Sequence, residues 1–127
     1  MDIVVPVGRV LFASMFVLAG MNHFVSHAEV TRDARSKGVP AAGVMIALTG
    51  LMLLAGGWSV LLGYRVDIGG WILVAFLVPT SFVMHAFWQE TDPARMEIER
   101  AHFLKNLSMT GAALLLTHFG SGPYGIG

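Results

Sequence analysis

The stretch AAGVMIALTGLMLLAGGWSVLL, residues 41–62, decides the fold class, because it is a long apolar run without a single charged side chain. A bilayer core about 30 Å thick is crossed by a helix of about 20 apolar residues. Five positions of the run fall on one helix face, namely Gly43, Ala47, Gly50, Leu54 and Gly57. Small residues let a neighbouring helix approach closely, so this face is predicted to be a packing seam.

Three further apolar segments accompany that stretch and predict an all-α fold, a transmembrane four-helix up-and-down bundle. The 127-residue chain is 55% hydrophobic and 13% charged, which is typical of an integral membrane protein. The polar breaks SHAEVTRDARSKGVP, GYRVD and QETDPARMEIER separate the segments. We expect one domain over residues 1–127, with spans at roughly 3–25, 41–62, 68–88 and 102–119. The first segment begins with Asp2 rather than with basic residues, so it is interpreted as a span and not as a signal peptide.

Charge balance and cysteine content exclude several function classes. The formal net charge is zero, and the few basic residues cluster in two loops, so we expect no nucleic-acid partner. The chain has no cysteine, which excludes disulfides, thiolate metal sites and a cysteine nucleophile. Any redox role therefore needs another carrier.

Basic residues also predict the orientation, because Lys and Arg are retained on the cytoplasmic side of a membrane. Six of them belong to the first and third loops, namely Arg32, Arg35, Lys37, Arg95, Arg100 and Lys105. Only Arg9 and Arg65 lie toward the other side. Both termini are therefore predicted to be extracytoplasmic.

Polar residues gather where the first and third predicted spans end and the fourth begins. In an up-and-down bundle these points share one side of the membrane, which collects Asn22, His23, His27, His85, Trp88, Asp92, His102, Lys105 and Asn106. Ionisable groups are costly against lipid, so we expect them to face the bundle interior. Asp92 followed by Pro93 predicts a helix start that runs on into the fourth span.

Two kinds of chemistry fit this polar layer. Histidine donates and accepts protons near neutral pH, so His23 and His85 with Lys105 suit the oxygens of a quinone-like or other amphiphilic ligand. The spacing of His23 and His27 also suits a metal, but no HExxH motif accompanies it and no metal site is predicted. Trp88 would stack on a flat ring or serve as an interfacial belt residue. Asn106 would bind the ligand or hydrogen-bond a neighbouring helix.

Arg9 lies about two turns into the first span, where an arginine is costly unless it pairs or reaches the surface. One interpretation is that it extends to the nearby surface with Asp2 or Asp67 as partner. The other is an anion-binding or structural clamp inside the bundle. The sequence pattern leaves both open.

Four pieces of sequence spread over nearly the whole chain carry a family resemblance: GRVLFASMFVLAGMNHF at 8–24, HAFW at 85–88, HFLKNLSMTGAALLL at 102–116 and GSGPYGIG at 120–127. Together they resemble the DoxX family of small bacterial membrane proteins, and FLKN followed five residues later by Gly111 is the most specific piece. The matching positions are Gly8, Arg9, Gly20, His23, Phe24, Phe87, Trp88, Phe103, Lys105, Asn106 and Gly111. Relatives often end in a tail with serine and aspartate, where this chain has Tyr124 to Gly127.

The resemblance implies a four-span protein of the bacterial cytoplasmic (inner) membrane that is associated with redox enzymes, since the family name descends from a subunit of a thiosulfate:quinone oxidoreductase. We therefore expect a membrane component of an oxidoreductase system with a quinone as ligand and a soluble or membrane redox partner. Its expected site consists of Arg9, His23, His85, Trp88, Lys105 and Asn106.

Two other function classes remain open. One is a non-enzymatic binding or transport protein for a lipid or small solute, in which a kink at Pro79 permits opening. The other is a structural subunit of a membrane complex. Small-residue seams are compatible with a homo-oligomer. The sequence assigns no catalytic residue.

Overall fold

The computed structural model describes residues 3–126, and within them the chain forms five α-helices and no strand. These are α1 (Val4–Val25), α2 (His27–Ser36), α3 (Ala42–Leu62), α4 (Val66–Met84) and α5 (Pro93–Phe119), with a short 3-10 turn at Phe87–Gln89. The predicted all-α membrane fold is confirmed. The ten-residue α2 occupies a stretch that the sequence had predicted to be only a polar break.

Three helices are long and apolar enough to cross a membrane: α1, α3, and α4 with its continuation to Gln89. The bounds of α1 and α3 agree with the predicted spans to within one residue. The last helix, α5, has 27 residues and is about 40 Å long at 1.5 Å per residue. Its first part is charged, so the fourth span at 102–119 stays a prediction.

The predicted third span extends four residues beyond the end of α4 at Met84. At His85 the backbone leaves the helical conformation, with φ −121° and ψ 42°. Tertiary contacts hold the residues that follow, because His85 meets Glu99 of α5 and the Trp88 ring packs against Phe103. Within α4, Pro79 does not break the helix, and the Ser81 hydroxyl donates to the Leu77 carbonyl.

The helices pack in the order α1, α3, α4, α5, each chiefly against the next. The core between them comprises Ala13, Phe16, Leu53, Val60, Val66, Leu73, Leu77 and Ala113. Large apolar side chains such as Leu11, Leu18 and Leu115 remain exposed on the outside. Such a surface suits a lipid environment, in which an apolar exterior carries no penalty.

The predicted seam on α3 is confirmed at Gly50 and Gly57, which face α1, whereas Gly43 lies at ordinary contact distance from α2. An added Cβ at Gly50 would lie 2.9 Å from the His23 Cβ, and one at Gly57 would lie 3.0 Å from the Val17 backbone nitrogen. Both distances are shorter than ordinary contacts, so only glycine permits this approach of the two helices.

The helix α2 has an apolar face that the sequence analysis did not recognise. Thr31 and Ala34, three residues apart, are buried, whereas Arg32, Asp33 and Arg35 are exposed. The buried face packs on Ala42 and Ile46 at the start of α3 and on Met84 at the end of α4. Helix α2 therefore covers one end of the bundle. We call this the α2 end, and the opposite end, where α1 starts and residues 120–126 fold back, the tail end.

Candidate functional site

The α2 end contains a hydrogen-bonded chain of charged and titratable side chains. His85 Nδ1 lies 3.4 Å from Glu99 Oε1, and the other Glu99 oxygen lies 3.3 Å from Lys37 Nζ. Lys37 Nζ is also 3.4 Å from Glu90 Oε1. The His102 ring stacks on that of His85, with 5.0 Å between ring centroids. The cluster therefore brings together three segments around the two imidazole rings, namely the end of α2, the loop after α4, and α5.

The residue at which α5 starts determines which of its side chains face this cluster. As predicted, Asp92 is the N-cap, and its carboxylate accepts a hydrogen bond of 3.3 Å from the Ala94 amide. From that start, Glu99, His102 and Asn106 fall on one face of the helix.

Sequence reasoning missed Glu99, Glu90 and the role of Lys37. All three lie in charge-rich segments. There the sequence pattern does not distinguish a charged side chain that faces the protein interior from one that faces water. Burial is the largest single influence on Glu99 and would raise the pKa of its carboxyl, but hydrogen bonds from Lys37 and His85 outweigh burial and lower the pKa overall. Glu99 is therefore an anion at neutral pH.

An aromatic cluster is formed by residues that lie close to the two histidines in the sequence. The Phe103 ring lies 5.3 to 5.5 Å from those of Phe82, Phe87 and Trp88, with steep interplanar angles. Edge-to-face contacts of this kind fix ring orientation. Trp88 is nevertheless 50% exposed, so part of its indole remains open to lipid or to a ligand.

Lys105 and Asn106 enter α5 one turn beyond His102. Lys105 is exposed, and its ammonium lies within Coulombic range of the His85 ring. Asn106 is buried. Among residues 3–126 its side-chain amide forms no hydrogen bond to a neighbouring helix, which was one of its predicted roles, although its backbone carbonyl accepts from Thr110.

His23 lies apart from this cluster and joins α1 to α3. His23 Nδ1 is 3.1 Å from the Ile46 carbonyl, and His27 Nε2 is 3.0 Å from the Gly43 carbonyl. The four-residue spacing of the histidines thus matches a three-residue spacing of acceptors on the antiparallel helix. His23 thus fastens the end of α1 to α3 beside the Gly50 contact, and His27 fastens the start of α2 to α3.

Arg9 belongs to the tail end and not to the polar layer, since it lies about 20 Å along α1 from His23. It is only 4% exposed. Its guanidinium donates to the carbonyls of Val60, at 3.4 Å, and Pro123, at 3.2 Å. Val60 is in the last turn of α3, where the helix dipole favours a cation. The arrangement is a structural clamp that ties α1 to α3 and to the tail.

The surroundings of Arg9 confirm how closely the tail packs. A side chain at Gly63 would collide with the guanidinium, and the Ile126 amide donates to the Leu62 carbonyl at 3.3 Å. The proposed partner Asp67 instead forms a bidentate pair with Arg65, at 3.1 and 3.2 Å. Asp2, the other proposed partner, lies outside the described residues.

Other possible binding surfaces are apolar. A groove of about 550 Å³ runs along the outside of α3 and α4 and is lined by Leu48, Leu51, Met52, Ala55, Ile68, Trp71, Ile72 and Ala75. In the described part of the chain, no three histidine or acidic side chains converge as a metal-binding group.

This fold and this cluster define a class, the small multi-pass helical membrane protein with a polar cluster at one end. The family model of DoxX matches residues 4–86, about two thirds of the chain, and the chain belongs to the DoxX family. It is 30% identical over 125 residues to the inner membrane protein YqjF of Escherichia coli strain K12, covering 98% of this chain and 90% of that protein. No solved structure matches it.

Proposed function

We propose that the protein is an inner-membrane component of an oxidoreductase system and binds the head group of a quinone-like amphiphile at the α2 end. One observation carries the proposal: the stacked His85–His102 pair, hydrogen-bonded through His85 to Glu99, lies at the same end of the bundle as the half-exposed ring of Trp88. The name of the Escherichia coli relative supports the inner-membrane location.

The cluster suits the chemistry of a quinone head. Reduction of a quinone to a quinol takes up two electrons and two protons, and an imidazole delivers protons near neutral pH. If His85 donates its Nδ1 proton to Glu99, its Nε2 lone pair is free to exchange a proton with a ligand oxygen. The electrons would come from a redox partner, and Trp88 would stack on the ring.

Asn106 and Lys105 complete the proposed site. Asn106 is only 5% exposed, and its side-chain amide forms no hydrogen bond to a neighbouring helix within residues 3–126, so its donors and its acceptor are available to a ligand. A ligand carbonyl would accept a hydrogen bond from this amide. The exposed Lys105 ammonium would stabilise negative charge on a reduced oxygen.

Tryptophan fluorescence in nanodiscs tests the proposal. The chain has three tryptophans, so the double substitution Trp58→Phe and Trp71→Phe leaves Trp88 as the only reporter. We expect a short-chain benzoquinone to quench it with a saturable curve, and His85→Ala to weaken the apparent affinity about tenfold, as for the loss of one hydrogen bond at a ligand.

His118→Ala is the matched control, because that histidine lies near the end of α5 at the tail end and its ring contacts Phe119. It should leave the curve unchanged. Linear quenching that is the same with and without His85 would contradict the proposal, since it reports only partition of the quinone into lipid.

A second candidate is a lipid- or solute-binding protein, and the groove along α3 and α4 favours it. Its apolar lining suits an acyl or isoprenoid chain. With Trp58→Phe and Trp88→Phe, Trp71 reports on this groove alone. Saturable quenching of Trp71 with none at Trp88 would support this candidate over the first.

A further inference from the structure

Side chains rather than packed backbones join α2 to α5. Helix α2 packs on α3 and on the end of α1, but no extensive packing connects it with α5 in the described part of the chain. Lys37 is the C-cap residue that follows α2, and its side chain reaches across to Glu90 and Glu99. The three side chains are only 24%, 18% and 15% exposed. One ammonium therefore holds two carboxylates from two different segments.

The imidazole pair shares a carboxylate with this ion pair. Lys37 and His85 bind the two oxygens of the same Glu99 carboxylate. Ala86, next to His85, is buried, with 5% exposed. The bridge from Lys37 to Glu99 thus links α2 to the carboxylate that binds His85.

The chain that follows Lys37 turns from α2 into α3 through two residues in the left-handed conformation. Gly38 adopts φ 84° and Ala41 adopts φ 48°. The left-handed conformation is unfavourable for alanine and persists only where surrounding contacts hold it. Release of Lys37 would remove one of the contacts that fix this segment.

We propose that Lys37 is a latch that holds α2 against α5 and limits the access of water-soluble molecules to the His85–His102 pair. Breaking its bonds to Glu90 and Glu99 opens the pair to the aqueous phase. The importance of the latch rests on the proposed ligand site, but its existence does not depend on any ligand.

The absence of native cysteine makes the test direct. Ala86→Cys places a single thiol beside His85, and its rate of reaction with a charged maleimide is measured in nanodiscs, which expose both faces. We expect Lys37→Met to raise this rate about fivefold relative to the protein with Lys37, the upper end of the effect of losing such an ion pair. Lys37→Arg, which keeps the charge, should restore slow labelling.

Two controls separate the latch from general loosening. Ala113→Cys reports on the core, where that residue is fully buried, and its labelling should stay slow with Lys37→Met. Glu99→Gln should raise the rate at position 86, whereas the exposed Glu97→Gln on the same helix should not.

Equal rates at position 86 with lysine and methionine would overturn the latch. Equal acceleration at positions 86 and 113 would also overturn it, because the fold as a whole would then be opening. A confirmed latch together with unsaturable quinone quenching would leave the latch standing and reject the proposed ligand.

Discussion

At the tail end a single buried cation, Arg9, is held by backbone carbonyls, whereas at the α2 end Lys37 is held by two carboxylates, one of which also binds a histidine. Carbonyls of a helix end and of a tightly packed tail have fixed positions, so Arg9 has one geometry. Side-chain carboxylates exchange partners and protons. The first end is thus suited to hold the fold together, and the second to respond to a ligand.

Arg9→Ala should give the largest effect on stability. It leaves a cavity, removes the donor to Pro123 and releases the tail, for which we expect a loss of about 3 kcal/mol in the free energy of unfolding. Unfolding by SDS titration in detergent measures it. Arg65→Ala at the same end, where the pair with Asp67 is exposed, is the control and should leave stability unchanged. An equal loss for both substitutions would contradict the clamp.

The seam between α1 and α3 should give the next largest effect. Gly57→Ala places a Cβ against the backbone nitrogen of Val17, which cannot move aside, so we expect a loss of about 1–3 kcal/mol. At Gly111, in contrast, an added Cβ meets nothing within 4 Å. Gly111→Ala should therefore be neutral or stabilising by up to about 1 kcal/mol, from helix propensity. Thermal unfolding of the two variants side by side decides whether the seam is as tight as described.

His23 and His85 should separate fold from function. His23→Ala removes a hydrogen bond between α1 and α3 and should cost about 1–2 kcal/mol, while saturable quinone quenching of Trp88 persists. His85→Ala should weaken quenching with the free energy of unfolding within about 0.5 kcal/mol of the parent. If each variant lost both stability and saturable quenching of Trp88, the division between a structural and a ligand-binding histidine would be refuted.

The pH dependence of Glu99 should be the smallest effect. Because folding lowers its pKa below the ordinary value of 4.5, the stabilisation it supplies is complete above that value and is lost as the pH falls through the lower folded pKa. Glu99→Gln should therefore be less stable than the parent at neutral pH, by less than about 1 kcal/mol for so small a network. The difference should vanish in acid. A difference that grows on acidification would contradict the assigned sign.

Residues 41–62 show how much of the fold the sequence determines. An uncharged run of that length is a helix in a membrane, and its spaced glycines predicted the seam, because both signals are local. Helix α2 was missed because its apolar face is only a few residues wide and lies in a charged segment. Its burial depends on the ends of α3 and α4, which no local pattern encodes.

The candidate site was predictable only in part for the same reason. His85 and Trp88 stood out as polar or amphipathic residues at the end of an apolar run. Glu99 and Lys37 did not, because their inward direction follows from the start of α5 and the end of α2. Arg9 and His23 were assigned to one site, although the helix that carries both extends over the full depth of the bundle.

Native mass spectrometry of the protein, gently extracted from its own membrane, tests the division between the two ends most directly. We predict that the unmodified protein carries the added mass of a membrane quinone and that His85→Ala is bare while unfolding at the same temperature. A bare protein in both cases, or the same added mass in both, would contradict a ligand site at the α2 end.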